Sequence, residues 1–96
     1  MINILKEYKV LYAEDDIELK EQMSEYFKNY FKEVVSVSNG KDALEVYKSH
    51  KPEVVFLDIY MPELNGLELT QYIRKENHNT KIVIISAHSQ SDLMLQ

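Results

Sequence analysis

Val54-Val55-Phe56-Leu57 is an unbroken apolar run stopped by Asp58, with no polar residue alternating into it. Such a run points to a strand buried on both faces, as the strands of parallel sheets are. The remainder of the chain fits that reading, because short β-rich runs alternate with longer helical periods and no internal repeat or linker-like stretch interrupts them. Tyr8 to Ala13 is the first strand, ended by Glu14-Asp15-Asp16. Leu19, Met23, Tyr26, Phe27, Tyr30 and Phe31 then recur at three- and four-residue spacing, predicting a helix from Ile17 with Asp15 or Asp16 at its N-cap. Val34 to Val37 is the second strand, and Asn39 followed three residues on by Asp42 opens a second helix bearing Ala43, Leu44 and Tyr47 on one face. That helix ends near His50, since Pro52 disfavours helical geometry at Lys51. Met61 to Gly66 is turn chemistry, and Asn65 with Glu68 resembles a capping box for a third helix running to about Glu76. Ile82 to Ile85 is the fourth strand, closed by Ser86-Ala87, and Ser89 to Asp92 is a candidate cap for a further helix.

Four strands alternating with helices define an α/β class, a doubly wound parallel sheet with helices on both faces and right-handed crossovers. The order of the strands is not visible in the pattern. An open sheet of this kind places its ligand site beyond the carboxyl ends of the strands, so the residues after strands one, three and four are the candidates for function.

Composition narrows the partners. Eleven Lys and Arg against sixteen Asp and Glu give a net charge of -5, which repels a phosphate backbone and an anionic membrane surface, so nucleic-acid and membrane binding by this segment are not expected. With no cysteine there is neither a disulfide framework nor a thiolate zinc site. The apolar windows are too short to span a bilayer, and the N-terminus lacks the pattern of a signal peptide, so a cytoplasmic protein of one domain is expected. The aromatic residues Tyr26, Phe27, Tyr30 and Phe31 are read as core packing with hydroxyls reaching solvent rather than as a stacking surface.

The strand ends carry Glu14, Asp15 and Asp16 after strand one, Asp58 after strand three and Ser86 after strand four. If strands one and three are neighbours, several carboxylates converge, and their mutual repulsion raises at least one pKa unless a cation compensates. Ligands that are all oxygen select a hard ion, magnesium or manganese in its place. A carboxylate beside such an ion can attack a phosphoryl group to form an aspartyl-phosphate, with Asp58 as nucleophile and Ser86 as a hydroxyl donor to the transferred group.

Three blocks, Val10-Leu11-Tyr12-Ala13-Glu14-Asp15-Asp16, Val55-Phe56-Leu57-Asp58-Ile59-Tyr60-Met61-Pro62 with Asn65-Gly66, and Ile84-Ile85-Ser86-Ala87, together resemble the receiver domain of two-component response regulators, in that family's order and spacing. The resemblance runs from about Lys9 to the end of the chain and implies a flavodoxin-like receiver fold. It implies Asp58 as phospho-acceptor, Asp15 and Asp58 as direct magnesium ligands with Glu14 acting largely through water, the backbone carbonyl of Tyr60 as a further ligand, and Ser86 as the switch hydroxyl. It also implies a sensor histidine kinase as phosphodonor and a downstream effector domain or protein as recipient. A receiver of this family continues through a fourth helix, a fifth strand with an aromatic switch residue, a Lys-Pro and a fifth helix. The expectation is therefore a receiver domain over residues 1–96 that lacks the fifth strand and fifth helix, is incomplete at its C-terminus, and forms a dimer or exchanges elements through the exposed edge of strand four. Lys81 stands before that strand, at the opposite end of the sheet from the acids, and is no substitute for the Lys-Pro lysine.

Plainer readings exist for each feature. Glu14-Asp15-Asp16 is also a helix cap, Asp58 a turn former and Ser86 a partner for local backbone groups. Tyr60 is expected to shape access to Asp58. His50, His78 and His88 are expected to be exposed, His88 two residues beyond Ser86. The alternative function is a pseudo-receiver or scaffold that binds a partner without phosphorylation. A phosphatase with an aspartyl nucleophile calls for a second acid where Tyr60 stands, and a nucleotide-binding domain calls for a glycine-rich turn after strand one.

Overall fold

The computed structural model describes residues 2–58, 66–77 and 79–85. After a short 3-10 helix, Ile2–Glu7, the chain runs β1 (Lys9–Ala13), α1 (Ile17–Lys28), β2 (Glu33–Val37), α2 (Gly40–His50), β3 (Val54–Asp58), α3 (Gly66–Glu76) and β4 (Lys81–Ile85). The four strands are parallel in the order β2-β1-β3-β4. β1 and β3 are thus central neighbours, paired in register from Val10 with Val54 to Ala13 with Leu57.

This order explains the unbroken apolar run in β3. The strand has a neighbour on each side; on one face Val55 and Leu57 are fully buried, and on the other Val54 is buried and Phe56 half-buried. On one face Leu11, Ala13, Val37, Val55 and Leu57 pack against Ala43 and Tyr47 of α2 and Leu69 and Ile73 of α3. On the other, Phe27 of α1 meets the Tyr12 ring edge-on at 5.3 Å and stacks on Phe56 at 4.5 Å. Each such ring or aliphatic group fully withdrawn from water contributes on the order of 1.5–3 kcal/mol before its ordering entropy is subtracted.

The helix ends follow local chemistry. Asp16, not Asp15, is the N-cap of α1, its carboxylate accepting the Leu19 N–H at 3.0 Å. Asn39 does the same for α2, accepting from the Asp42 N–H at 2.7 Å. At the far end of α2, Lys51 takes left-handed backbone angles (φ 50°, ψ 60°) and donates its N–H to Tyr47 O at 3.0 Å. Pro52 disfavours a right-handed turn at Lys51, so the helix closes with a lysine where a glycine is preferred.

The structure moves several expected boundaries. β1 begins at Lys9 rather than Tyr8, β2 and β4 each begin one residue earlier than expected, and Asp58 belongs to β3, paired with Ile85. The aromatic stripe of α1 is corrected more substantially. The helix stops at Lys28, so Tyr30 and Phe31 fall in the connection to β2, and of the four aromatics only Phe27 is buried. Tyr26 and Tyr30, 55% and 37% exposed, lie against each other at the surface with ring centres 5.2 Å apart. Where α1 meets β2 the contact is polar: Ser24 Oγ donates to Lys20 O and meets the Ser36 hydroxyl, while Lys20 Nζ donates to Ser38 Oγ at 2.6 Å. At the rim, β4 leaves Val83 42% and Ile84 40% exposed.

Candidate functional site

β1 delivers its acids directly into the centre of the sheet. The Glu14 N–H donates to Val37 O at 3.0 Å, which carries the strand geometry one residue beyond Ala13. Because Ala13 pairs with Leu57, Glu14 comes level with Asp58 at the end of the neighbouring central strand. Both carboxylates are buried, Glu14 at 2% and Asp58 at 1% exposed, whereas Asp15 is exposed. One oxygen from each of Glu14, Asp15 and Asp58 lies within 4.8 Å of the others. Glu14 also accepts the Asp16 N–H at 3.2 Å, so the turn that caps α1 holds the first acid of the cluster in place.

Electrostatics register the crowding. The Glu14 carboxyl is pushed above the ordinary glutamate range, first by burial and then by the charges of Asp58 and Asp15, while the Asp16 N–H opposes this by favouring the ionised form. The Tyr12 hydroxyl is pushed up as well, by burial first and then by Glu14, Asp58 and Asp16. Three carboxylates with converging oxygens, and no nitrogen or sulfur donor among them, suit a hard divalent cation, whose charge would offset their mutual repulsion. The donor chemistry therefore fits magnesium, with Glu14, Asp15 and Asp58 as the groups to hold it. Asp16 is not in the cluster, since its side chain is committed to Leu19.

Of the sequence-derived site residues, Glu14, Asp15 and Asp58 are brought together; Tyr60 and Ser86, with His78 and His88, lie outside the described residues. His50 is half-buried at the end of α2, 3.9 Å from Glu33, and far from the acids in the fold. Lys81 pairs with Val54 at the start of β4, whereas Asp58 pairs with Ile85 at its end, so lysine and acids occupy opposite ends of the sheet. Tyr12 is the group that the sequence reading passed over. Two residues before Glu14 on the same strand, it shares that residue's face, and the period of two is the signal that finds it.

A sequence model of the response regulator receiver domain matches residues 10–96. The chain belongs to the response regulator receiver domain family. The chain is 41% identical over 59 residues to the chemotaxis protein CheY of Thermotoga maritima, a match covering 62% of this chain and 49% of CheY. It spans half or less of the length of the first curated relatives it matches. Among solved structures, the N-terminal domain of an uncharacterized protein (WS1339) from Wolinella succinogenes superposes with a TM-score of 0.79 at 33% identity, over 91% of this chain and 70% of that one. A structure of histidine kinase ThkA in complex with response regulator protein TrrA matches at a TM-score of 0.75 and 31% identity, over 85% of this chain and 71% of that one. The receiver fold is flavodoxin-like, and among the described residues it comprises four strands and three α-helices, without a fifth strand or fifth helix. Receivers of this family are signalling switches of two-component systems.

Proposed function

We propose that this receiver accepts a phosphoryl group on Asp58 from a histidine kinase and passes the resulting change to a downstream effector domain or protein in the cytoplasm. The observation that carries the reading is the convergence of Glu14, Asp15 and Asp58 at the ends of two adjacent central strands. An Asp58 carboxylate oxygen attacks phosphorus, the bond from phosphorus to the donor's imidazole nitrogen breaks, and that nitrogen keeps the electron pair. With the ring's other nitrogen already protonated, the products are an acyl phosphate on Asp58 and a neutral imidazole. Asp15 and Asp58 would hold a magnesium ion, with Glu14 acting largely through water and the Tyr60 carbonyl as a further ligand, and the ion would supply positive charge to offset that on the carboxylates and phosphoryl oxygens. Ser86 is assigned the switch hydroxyl that turns to the transferred group. The matched kinase–regulator complex supports a kinase as donor, and the net charge of -5 argues against nucleic acid as a direct partner.

Incubation with a small phosphodonor and magnesium, followed by intact mass measurement, tests the assignment. Wild type is expected to gain one phosphoryl group and Asp58→Asn none; no gain in wild type, or equal gain in both, overturns it in favour of partner binding without phosphorylation.

A further inference from the structure

Among the described residues, β2 forms the rim of the sheet opposite β4. The Val37 carbonyl accepts the Glu14 N–H and so points toward β1. Backbone direction alternates along a strand, and Val34 and Ser36 therefore turn their N–H and C=O groups outward, away from β1. The register with β1 is unbroken from Glu33 to Val37, so no bulge twists the rim away, and the strand contains neither lysine nor proline. Bulges, lysine and proline are among the devices that ordinarily protect an edge from pairing with another strand, and the one charge within β2 is Glu33 at its start.

An open groove of about 500 Å³ runs along this rim between α1 and β2, lined by Lys20, Glu21, Ser24, Lys28, Val34 and Ser36 among others. α1 lies antiparallel over the strand: Lys20 reaches Ser38, Ser24 meets Ser36, and Lys28 lines the groove with Val34. The stretch of helix level with Val35 is consequently Glu25 to Lys28. Those two side chains form an ion pair of 3.4 Å and are largely exposed, Lys28 at 57% and Glu25 at 76%.

We propose that the β2 rim pairs antiparallel with the β2 rim of a second copy of this chain, about a two-fold axis at Val35. That axis sets Val34 opposite Ser36 of the second copy and the reverse, so the outward backbone groups of both residues bond across the joint. It also brings the two α1 helices side by side over the groove, with Glu25 of each facing Lys28 of the other. This pattern selects a second copy over an unrelated extended segment: a two-fold rotation turns each acid onto a base, although the chain as a whole is acidic. The strand is short and the joint is expected to bury less than the roughly 1,200 Å² of a stable complex, so the dimer is weak and concentration-dependent.

Sedimentation equilibrium from micromolar to millimolar concentration tests this with three surface variants, their fold checked by circular dichroism. Wild type is expected to dimerise, and Glu25→Lys and Lys28→Glu, each of which places four like charges at the axis, are expected to weaken dimerisation by about tenfold. The double variant Glu25→Lys/Lys28→Glu restores alternating charge and is expected to return to within about threefold of wild type. A wild type that stays monomeric throughout overturns the proposal. So do single variants that associate like wild type, which places association at another surface such as β4, and so does a double variant that fails to recover.

Discussion

Glu14 concentrates the physical conflict of the site in one side chain. Its carboxyl binds a proton more tightly in the folded chain than in the unfolded one, because burial and the charges of Asp58 and Asp15 oppose ionisation. A group with a raised folded pKa contributes stability that is fully present below its unfolded pKa and is lost as pH rises through the folded value. In chelator, the melting temperature is therefore expected to fall as pH rises from the ordinary glutamate range through Glu14's raised value. Glu14→Gln, which keeps the shape and removes the charge, is expected to flatten that fall and to melt several degrees higher than wild type near neutral pH. Added magnesium should restore wild type, since an ion that binds only the folded site stabilises it by mass action. A wild-type melting curve insensitive to pH over this range contradicts the reading. The sequence named Glu14, Asp15 and Asp58 because acids after strand ends are conspicuous, but it could not decide between Asp15 and Asp16 as the helix cap. That choice rests on a turn geometry in which only Asp16 reaches the Leu19 N–H.

Among the elements, the strands were legible and the helix faces less so. The apolar run of β3 specified a parallel strand because a run without alternation leaves no wet face; Val55 and Leu57 are fully buried on one face, while on the other Val54 is buried and Phe56 half-buried. The stripe through Tyr26, Tyr30 and Phe31 misled because spacing alone does not reveal where a helix stops, and α1 stops at Lys28. Its seam with β2 is made of Ser24, Ser36, Lys20 and Ser38, polar residues that a hydrophobic pattern does not count. Lys51 offers a quantitative test at the end of α2. A side chain bearing Cβ in the left-handed region costs roughly 1–2 kcal/mol, of which a glycine's greater freedom in the unfolded chain returns part. Lys51→Gly is expected to raise unfolding free energy by about 0.5–1 kcal/mol in urea titration, with the slope unchanged. Destabilisation instead would mean that the lysine side chain, not the backbone angle, governs that end of α2.

At the scale of the molecule, the sheet formed by the described residues has two rims of different character. β2 presents outward backbone groups beside a charged groove, whereas β4 presents apolar side chains, Val83 and Ile84, on both of its faces. Apolar surface at an open rim drives association without geometric selection. Val83→Lys is expected to lower light scattering at high concentration severalfold while leaving the far-ultraviolet spectrum unchanged. No reduction would place the scattering surface elsewhere. The strand order that sets these rims was the one global property absent from the pattern, because periodicity describes each strand's faces and says nothing of its neighbours.

The same order makes the site a reporter on assembly. Glu14 and Asp58 belong to strands separated along the chain by α1, β2 and α2, yet they meet only when β1 and β3 lie side by side. A divalent ion that needs both acids has nothing to grip until that distant pairing has formed. In a refolding experiment, the onset of magnesium binding is therefore expected to mark the closing of the central strand pair, and a one-residue slip between those strands is expected to be read as lost affinity before any change in helix content.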